Sequence, residues 1–317
     1  MKAALLTAPR TIELVDQELP ALARDDLRVR VTQCGVCTSE LDVWTGTAVD
    51  EPLPAPIGHE VAGVVEEIGS DVQGFAPGDH VAVWVPGGGF AEQVLVPQRF
   101  AVGVAPGLAF PGVAEPLSCV VNAVELAAPK LGDDVVIVGA GFMGLLLLQV
   151  SLLKGPRSVT VIDLRADALE QARALGATHV LDPRAEDAAA AVKRIAAADG
   201  ADVAYEVTGV GPGLDLAASV TRMSGTLGIV GYHQGEPRPV PLGHWNWMAY
   251  KIANAHFRDP DVIMAGLRAG MRLVSAGVLD PAPLVTHRFG LEGTADAFAT
   301  AEAKPEGFVK AVVDLPA

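Results

Sequence analysis

The stretch from Val135 to Leu153 carries no charged residue. It is at the lower limit for a span across a bilayer. Three glycines, Gly139, Gly141 and Gly144, interrupt it, and Gln149 and Ser151 break its second half. A buried strand over Val135–Val138, a glycine turn and a core helix over Gly144–Lys154 explain it better. The turn Gly139-Ala140-Gly141-Phe142-Met143-Gly144 matches G-x-G-x-x-G between a strand and a helix, which is the context that gives the string meaning. Gly139 permits a tight turn, Gly141 lets backbone N–H groups approach a pyrophosphate, and Gly144 lets helix and strand pack closely. The N–H groups of Phe142 and Met143 open the helix, whose positive end favours phosphate. Asp163 closes the next strand about twenty residues on, where a carboxylate accepts hydrogen bonds from ribose hydroxyls and repels a 2′-phosphate. The expected cofactor is therefore NAD rather than NADP. Arg165 stands two residues further on and is the kind of side chain that hosts such a phosphate.

The rhythm around this motif divides the chain. Residues 1–116 are rich in strand signals: Leu27, Val29 and Val31 alternate with Arg28, Arg30 and Thr32, and Val61–Ile68, His80–Val85 and Phe90–Val96 follow. Residues 117–259 alternate strand and helix. Strands are expected at Val135–Val138, Ser158–Ile162, Thr178–Leu181, Val203–Glu206 and Thr226–Val230. Helices are expected at Ala166–Leu175, Glu186–Ala198 and Gly213–Met223, and Cys119 is expected at the start of this half's first helix. Such alternation builds a parallel sheet wound on both faces. Residues 260–317 return to a mixed pattern, with helices at Asp261–Ala276 and Ala295–Ala303 and strands at Leu284–Phe289 and Phe308–Val313. The fold class is α/β.

With 317 residues, half of them hydrophobic, the chain can bury a large core and is not disordered. Its net charge of −15 repels phosphate backbones and anionic lipid, which argues against nucleic-acid and membrane partners. Three cysteines, Cys34, Cys37 and Cys119, are too few for a disulfide framework and fit a reducing cytoplasm. The N-terminus has too short an apolar stretch for a secretory signal.

Cys37, His59, Glu60 and Glu115 supply one thiolate, one imidazole and one or two carboxylates. Three protein ligands with an open position is the donor set of catalytic zinc, and wide spacing along the chain suits ligands from different loops. Cys34 and Cys37 form C-x-x-C without a second pair, so no zinc knuckle is completed.

Three motifs resemble those of the zinc-dependent medium-chain alcohol dehydrogenases. Gly58-His59-Glu60-x2-Gly63-x5-Gly69-x2-Val72 is similar to the family's zinc signature. Cys34-Gly35-Val36-Cys37-Thr38-Ser39-Glu40 resembles its first ligand segment, and Glu115-Pro116-Leu117-Ser118 the acidic motif of the sorbitol (polyol) branch. Pro283–Phe289 is similar to the same branch. The resemblance implies a GroES-like, mainly-β catalytic domain from residues 1–116 and 260–317, wrapped around a Rossmann NAD-binding domain of a doubly wound parallel sheet. It implies Cys37 and His59 as zinc ligands, with Glu60 and Glu115 competing for the third place. By the same resemblance Glu40 orients His59, and Ser39 passes the substrate proton. The family's four-cysteine lobe is missing, with only Pro86-Gly87-Gly88-Gly89 where it would sit, so one catalytic zinc and no structural zinc is expected. Asp42 stands where many members carry a relay histidine, and His244-Trp245-Asn246-Trp247 matches nothing in the family pattern.

The expected activity is hydride transfer between NAD and a secondary alcohol, a polyol, sugar or derivative, and its ketone. Arg258 falls where the polyol branch has an arginine reaching substrate, and Trp44 is a candidate apolar wall for a sugar's C–H face. Two other readings are a zinc-free-type enone or quinone reductase of the same fold and a non-catalytic NAD-binding protein. A homodimer or homotetramer is expected, with Thr226–Val230 as the strand continuing the sheet into a second subunit.

Overall fold

The computed structural model describes residues 1–47, 52–105, 108, 114–234 and 237–316. The N-terminal part runs through β1 (Lys2–Ala8), β2 (Thr11–Asp16), β3 (Asp26–Gly35), helix α1 (Leu41–Thr45), β4 (Ala55–Pro56), β5 (Glu60–Ile68), β6 (His80–Trp84), β7 (Gln93–Pro97) and β8 (Ala101–Gly103). After α2 (Ala114–Ala127) come β9 (Asp134–Val138), α3 (Phe142–Leu152), β10 (Ser158–Ile162), α4 (Ala166–Ala174), β11 (His179–Leu181), α5 (Ala188–Ile195) and β12 (Ala201–Glu206). Then follow α6 (Gly211–Val220), β13 (Thr221–Ile229), α7 (Leu242–Trp247) and β14 (Lys251–Asn254). The chain ends with α8 (Pro260–Ser275), β15 (Val285–Gly290), α9 (Thr294–Ala303) and β16 (Lys310–Asp314).

Two compact units result: Met1–Ser118 with Ile263–Ala317, and Cys119–Val262. The first holds a three-stranded sheet, β2-β1-β4, and a larger sheet in the order β15-β16-β3-β5-β6-β8, with β7 also pairing β3. Strand β3 alternates buried Leu27, Val29 and Val31 with partly exposed Arg28, Arg30 and Thr32, the period-2 signature of a half-buried strand. Its core closes on aromatic contacts: Phe298 lies 5.5 Å from Trp44 and 5.6 Å from Phe90 between ring centroids.

The second unit is a six-stranded sheet ordered β11-β10-β9-β12-β13-β14, every pair parallel. Counted along the chain this is 3-2-1-4-5-6, the doubly wound dinucleotide-binding order. β9 and β10 are buried at every position, and α3 is apolar on all sides and largely buried, which accounts for the uncharged run. No helix among the described residues is long and apolar enough to cross a membrane.

Three local expectations are corrected. The helix expected to reach Met223 stops at Val220, and Thr221 begins β13, because Thr221 pairs with Ala201 of β12. β13 is interior, flanked by β12 and β14, so Thr226–Val230 is no sheet edge; the edges are β11 and β14. Cys119 lies inside α2, which begins at Ala114. The unassigned His244–Trp247 segment forms α7, with Trp245 in the core and Trp247 77% exposed.

Candidate functional site

In the first unit, antiparallel register does the assembling. Gly35 at the end of β3 pairs with Glu60 at the start of β5, so chain just beyond β3 and just before β5 meets at one end of the sheet. Cys37 precedes the tight turn Thr38–Glu40, and His59 precedes β5. One ligand atom each from Cys37, His59 and Glu60 lies within 4.8 Å of the other two. Gly35 is needed for this, since a Cβ there would fall 1.9 Å from the Glu60 Oε2. Gly58, at φ +100°, makes the left-handed turn that delivers His59, and its own Cβ would strike the Phe90 backbone.

Glu40 lies behind the histidine. Its Oε1 accepts from the Gly58 N–H at 2.6 Å and sits 3.3 Å from His59 Nδ1. That contact places the proton on Nδ1 and leaves Nε2 to act as a ligand. Ser39 donates its hydroxyl to the Cys37 Sγ at 3.1 Å. Burial works against a charged His59, but the Glu40 and Cys37 charges and hydrogen bonds outweigh it and hold its pKa well above the ordinary histidine value. Among the described residues the buried Glu40 Oε2 has no hydrogen-bond partner. A thiol, an imidazole and two buried carboxyl groups thus draw positive charge to one point, and the thiolate–imidazole–carboxylate donor set fits zinc.

Lys310, on β16, was not singled out from the sequence. It is 4% exposed and donates from Nζ to Val36 O at 2.8 Å and to Glu60 Oε1 at 2.7 Å, with Glu60 Oε2 at 2.6 Å. Burial lowers its pKa, but Glu60 and Cys37 more than reverse this and raise it. The sequence signal is a lone cation inside the apolar run Phe308–Val313. Glu115 stands in the first turn of α2, half-buried, and its charge also acts on Lys310. It is outside the group of three mutually close ligand atoms.

Trp44 does not form an exposed wall. It is 3% exposed, lies against Phe298 with the two rings tilted by 38° and donates its Nε1–H to Glu302 at 2.8 Å, because α1 turns it into the core.

The second unit holds the glycine turn. Gly139 has φ +110°, and a Cβ on Gly144 would lie 1.8 Å from Gly139 O. A Cβ on Gly141 would meet nothing within 4 Å among the described residues, which leaves room over the start of α3, where Phe142 and Met143 begin the helix. This uncapped helix start, with room above it, fits a pyrophosphate. Asp163 accepts from Ala140 N–H at 2.6 Å and Arg165 N–H at 2.8 Å. A carboxylate offers about four acceptor sites, so capacity for ribose hydroxyls remains. The Arg165 guanidinium lies 3.6 Å from Asp167. Arg258 is exposed; it donates to Tyr232 Oη at 3.4 Å and lies over that ring, which stacks on His256 at 4.5 Å. Asp259, its neighbour, instead receives the Asp261 N–H at the start of α8.

Two family models match the chain: "Alcohol dehydrogenase GroES-like domain" over residues 23–106 and "Zinc-binding dehydrogenase" over residues 143–263. A sorbitol dehydrogenase of Bacillus subtilis (strain 168) is 28% identical, over 94% of this chain and 92% of its own. An L-threonine 3-dehydrogenase of Rhizobium johnstonii is 26% identical, over 94% of each. A solved structure from Sinorhizobium meliloti 1021, described as a zinc-binding dehydrogenase bound to NADP, is 28% identical. It superposes with a TM-score of 0.86 over 99% of this chain and 98% of that one.

Proposed function

The chain belongs to the zinc-dependent medium-chain alcohol dehydrogenases, and on that premise we propose that it transfers a hydride between NAD and a secondary alcohol of the polyol, sugar or sugar-derivative class. The observation that carries the reading is the Cys37–His59–Glu60 cluster backed by Glu40. Cys37 and His59 would hold one zinc per chain. Glu60 is the better placed of the two acids for the third position, and Glu115 is the alternative. When bound, the metal supplies a Lewis acid that lowers the pKa of an alcohol.

The protein's own part is positioning and proton movement. Glu40 keeps the His59 ring in its ligating tautomer. Ser39, beside Cys37, presents a hydroxyl that both accepts and donates a proton. The glycine turn and Asp163 seat the dinucleotide. Asp163 favours NAD, although a relative was solved with NADP. Arg258 offers forked donors that suit vicinal hydroxyls or a carboxylate. The named relatives are a sorbitol and an L-threonine dehydrogenase, and both compounds carry a secondary hydroxyl. The enone-reductase and non-catalytic readings have no use for a complete donor cluster. We place the protein in the cytoplasm as a homodimer or homotetramer, joined through the β14 edge.

A substrate panel tests this: sorbitol, xylitol, a sugar acid, L-threonine, a simple secondary alcohol and ethanol, followed by NADH absorbance. The proposal expects a hydroxyl-rich compound to lead and ethanol to be poor. Turnover confined to L-threonine or to simple aliphatic alcohols contradicts the class.

A further inference from the structure

Glu206 is the last residue of β12 and is completely buried. Among the described residues it belongs to no group of mutually close metal-ligating side chains, and burying a carboxylate without donors is costly. It is fully supplied. Oε1 accepts from Thr208 N–H and Thr208 Oγ1–H, each at 2.5 Å, and from Gly209 N–H at 2.8 Å. Oε2 lies 2.8 Å from His233 Nε2. The Glu206 carbonyl accepts the N–H groups of Val230 and Gly231, both at 2.9 Å.

The histidine's chemistry is fixed by its other neighbour. Arg238 Nη1 lies 2.8 Å from His233 Nδ1 and also donates to Gly209 O at 2.8 Å. A guanidinium only donates, so Nδ1 must accept. The proton therefore sits on Nε2 and points at Glu206. The four residues close a ring in which donation runs from Arg238 to Glu206 by two routes: Arg238 to His233 and His233 to Glu206 on one side, Arg238 to Gly209 O and Gly209 N–H to Glu206 on the other.

This ring stands where an open parallel sheet binds its ligand. The chain winds outward from β9 to β11, then from β12 to β14 on the other side, so the switch point lies between β9 and β12. Gly139 follows β9 and Glu206 ends β12. The two turns touch, since a Cβ on Gly139 would come 2.9 Å from Thr208 Cγ2. There is no slack on the far side either, because a Cβ on Gly231 would lie 2.3 Å from Gly209 N and 2.5 Å from Glu206 Oε2.

We propose that Glu206 and His233 are positioning residues for the dinucleotide: through the Glu206–His233–Arg238 ring they hold the turns after β12 and β13 against the glycine turn. This rests on the dinucleotide reading above. The donor sense makes it testable. In Glu206→Gln the carboxamide oxygen goes to the Thr208 and Gly209 donors, and its NH2 faces His233. His233 must then accept at Nε2 and carry its proton on Nδ1, donor to donor with Arg238. Removing Arg238 relieves that conflict.

The test combines NADH fluorescence titration of the full chain with the 15N NMR signature of the His233 ring. In the wild type, His233 is expected as the neutral Nε2–H tautomer. Glu206→Gln should weaken NADH binding about tenfold, the scale of one lost hydrogen bond to a charged group. Glu206→Gln with Arg238→Ala should regain most of that loss and show the Nδ1–H tautomer, a non-additive pair. An Nδ1–H tautomer in the wild type, or a double variant no better than Glu206→Gln alone, overturns the proposal. Should Glu206→Gln fail to fold, His233→Ala serves: unchanged NADH affinity overturns it, and a loss of several-fold supports it. A wild type that binds neither NADH nor NADPH defeats the dinucleotide reading itself and takes the positioning role with it, while the tautomer still reports whether the ring exists.

Discussion

Replacing Lys310 by methionine leaves the Glu60 carboxylate, 1% exposed, without its cation. It also strips Val36 O of its buried donor. Methionine fills similar volume, so the cost is electrostatic rather than a cavity. Removing one partner of a buried ion pair destabilises by about 3–5 kcal/mol. Guanidinium unfolding of metal-free protein should show that loss in the transition of the first unit. Lys310→Arg, which keeps the charge and can pair in a fork, should lose less. Zinc should narrow the gap, because a second cation then faces Glu60. At zinc of about 100 times Kd the wild type gains about 2.7 kcal/mol, and Lys310→Met should gain more. A metal-free Lys310→Met as stable as the wild type refutes the reasoning. So does an equal zinc-induced gain in both, since that would show Glu60 to be indifferent to the metal.

Asp163→Ser should weaken NAD and strengthen NADP by relieving repulsion of the 2′-phosphate; cofactor titrations check it, and a wild type using both equally well removes the premise. Arg258→Ala should lower kcat/KM for a hydroxyl-rich substrate far more than for a simple secondary alcohol, whereas equal losses mark Arg258 as structural. Asp134 is opposed by burial, but hydrogen bonds from Arg157, Ser158 and the Ala197 N–H, with the Arg157 charge, hold its pKa below the ordinary aspartate value. A carboxyl depressed in the fold stabilises above its unfolded pKa and loses that contribution as pH falls through its folded value. Asp134→Asn should therefore be less stable at neutral pH with a shallower acid limb in a stability–pH series; parallel curves for the two proteins contradict this.

The glycine turn was readable because its demands are local. Gly139 needs a left-handed φ and Gly144 needs the absence of a Cβ beside Gly139 O, and both are written in residue type. Cys37, His59 and Glu60 were readable through motif spacing, which the β3–β5 register turns into proximity. Lys310 was not, because its partner is 250 positions away and nothing local announces the pair. Glu206 was read only as a strand end, since its donors come from turns that the sequence leaves undefined. Trp44 was misassigned because adjacency to the Cys37 segment says nothing of which way a short helix faces. Strand β14 went unread because Lys251-Ile252-Ala253-Asn254 is short and lacks alternation, and that moved the sheet edge.

The central claim is that Cys37 and His59 hold a single zinc on which NAD-linked alcohol oxidation depends. The most direct measurement is metal content alongside NADH formation, followed by its absorbance, from one preparation, before and after chelation, for the wild type and Cys37→Ala. The account predicts one zinc per chain, activity lost on chelation and regained with zinc, and neither metal nor turnover in Cys37→Ala. Two zincs per chain, or NADH formation that survives in the metal-free protein or in Cys37→Ala, would contradict it.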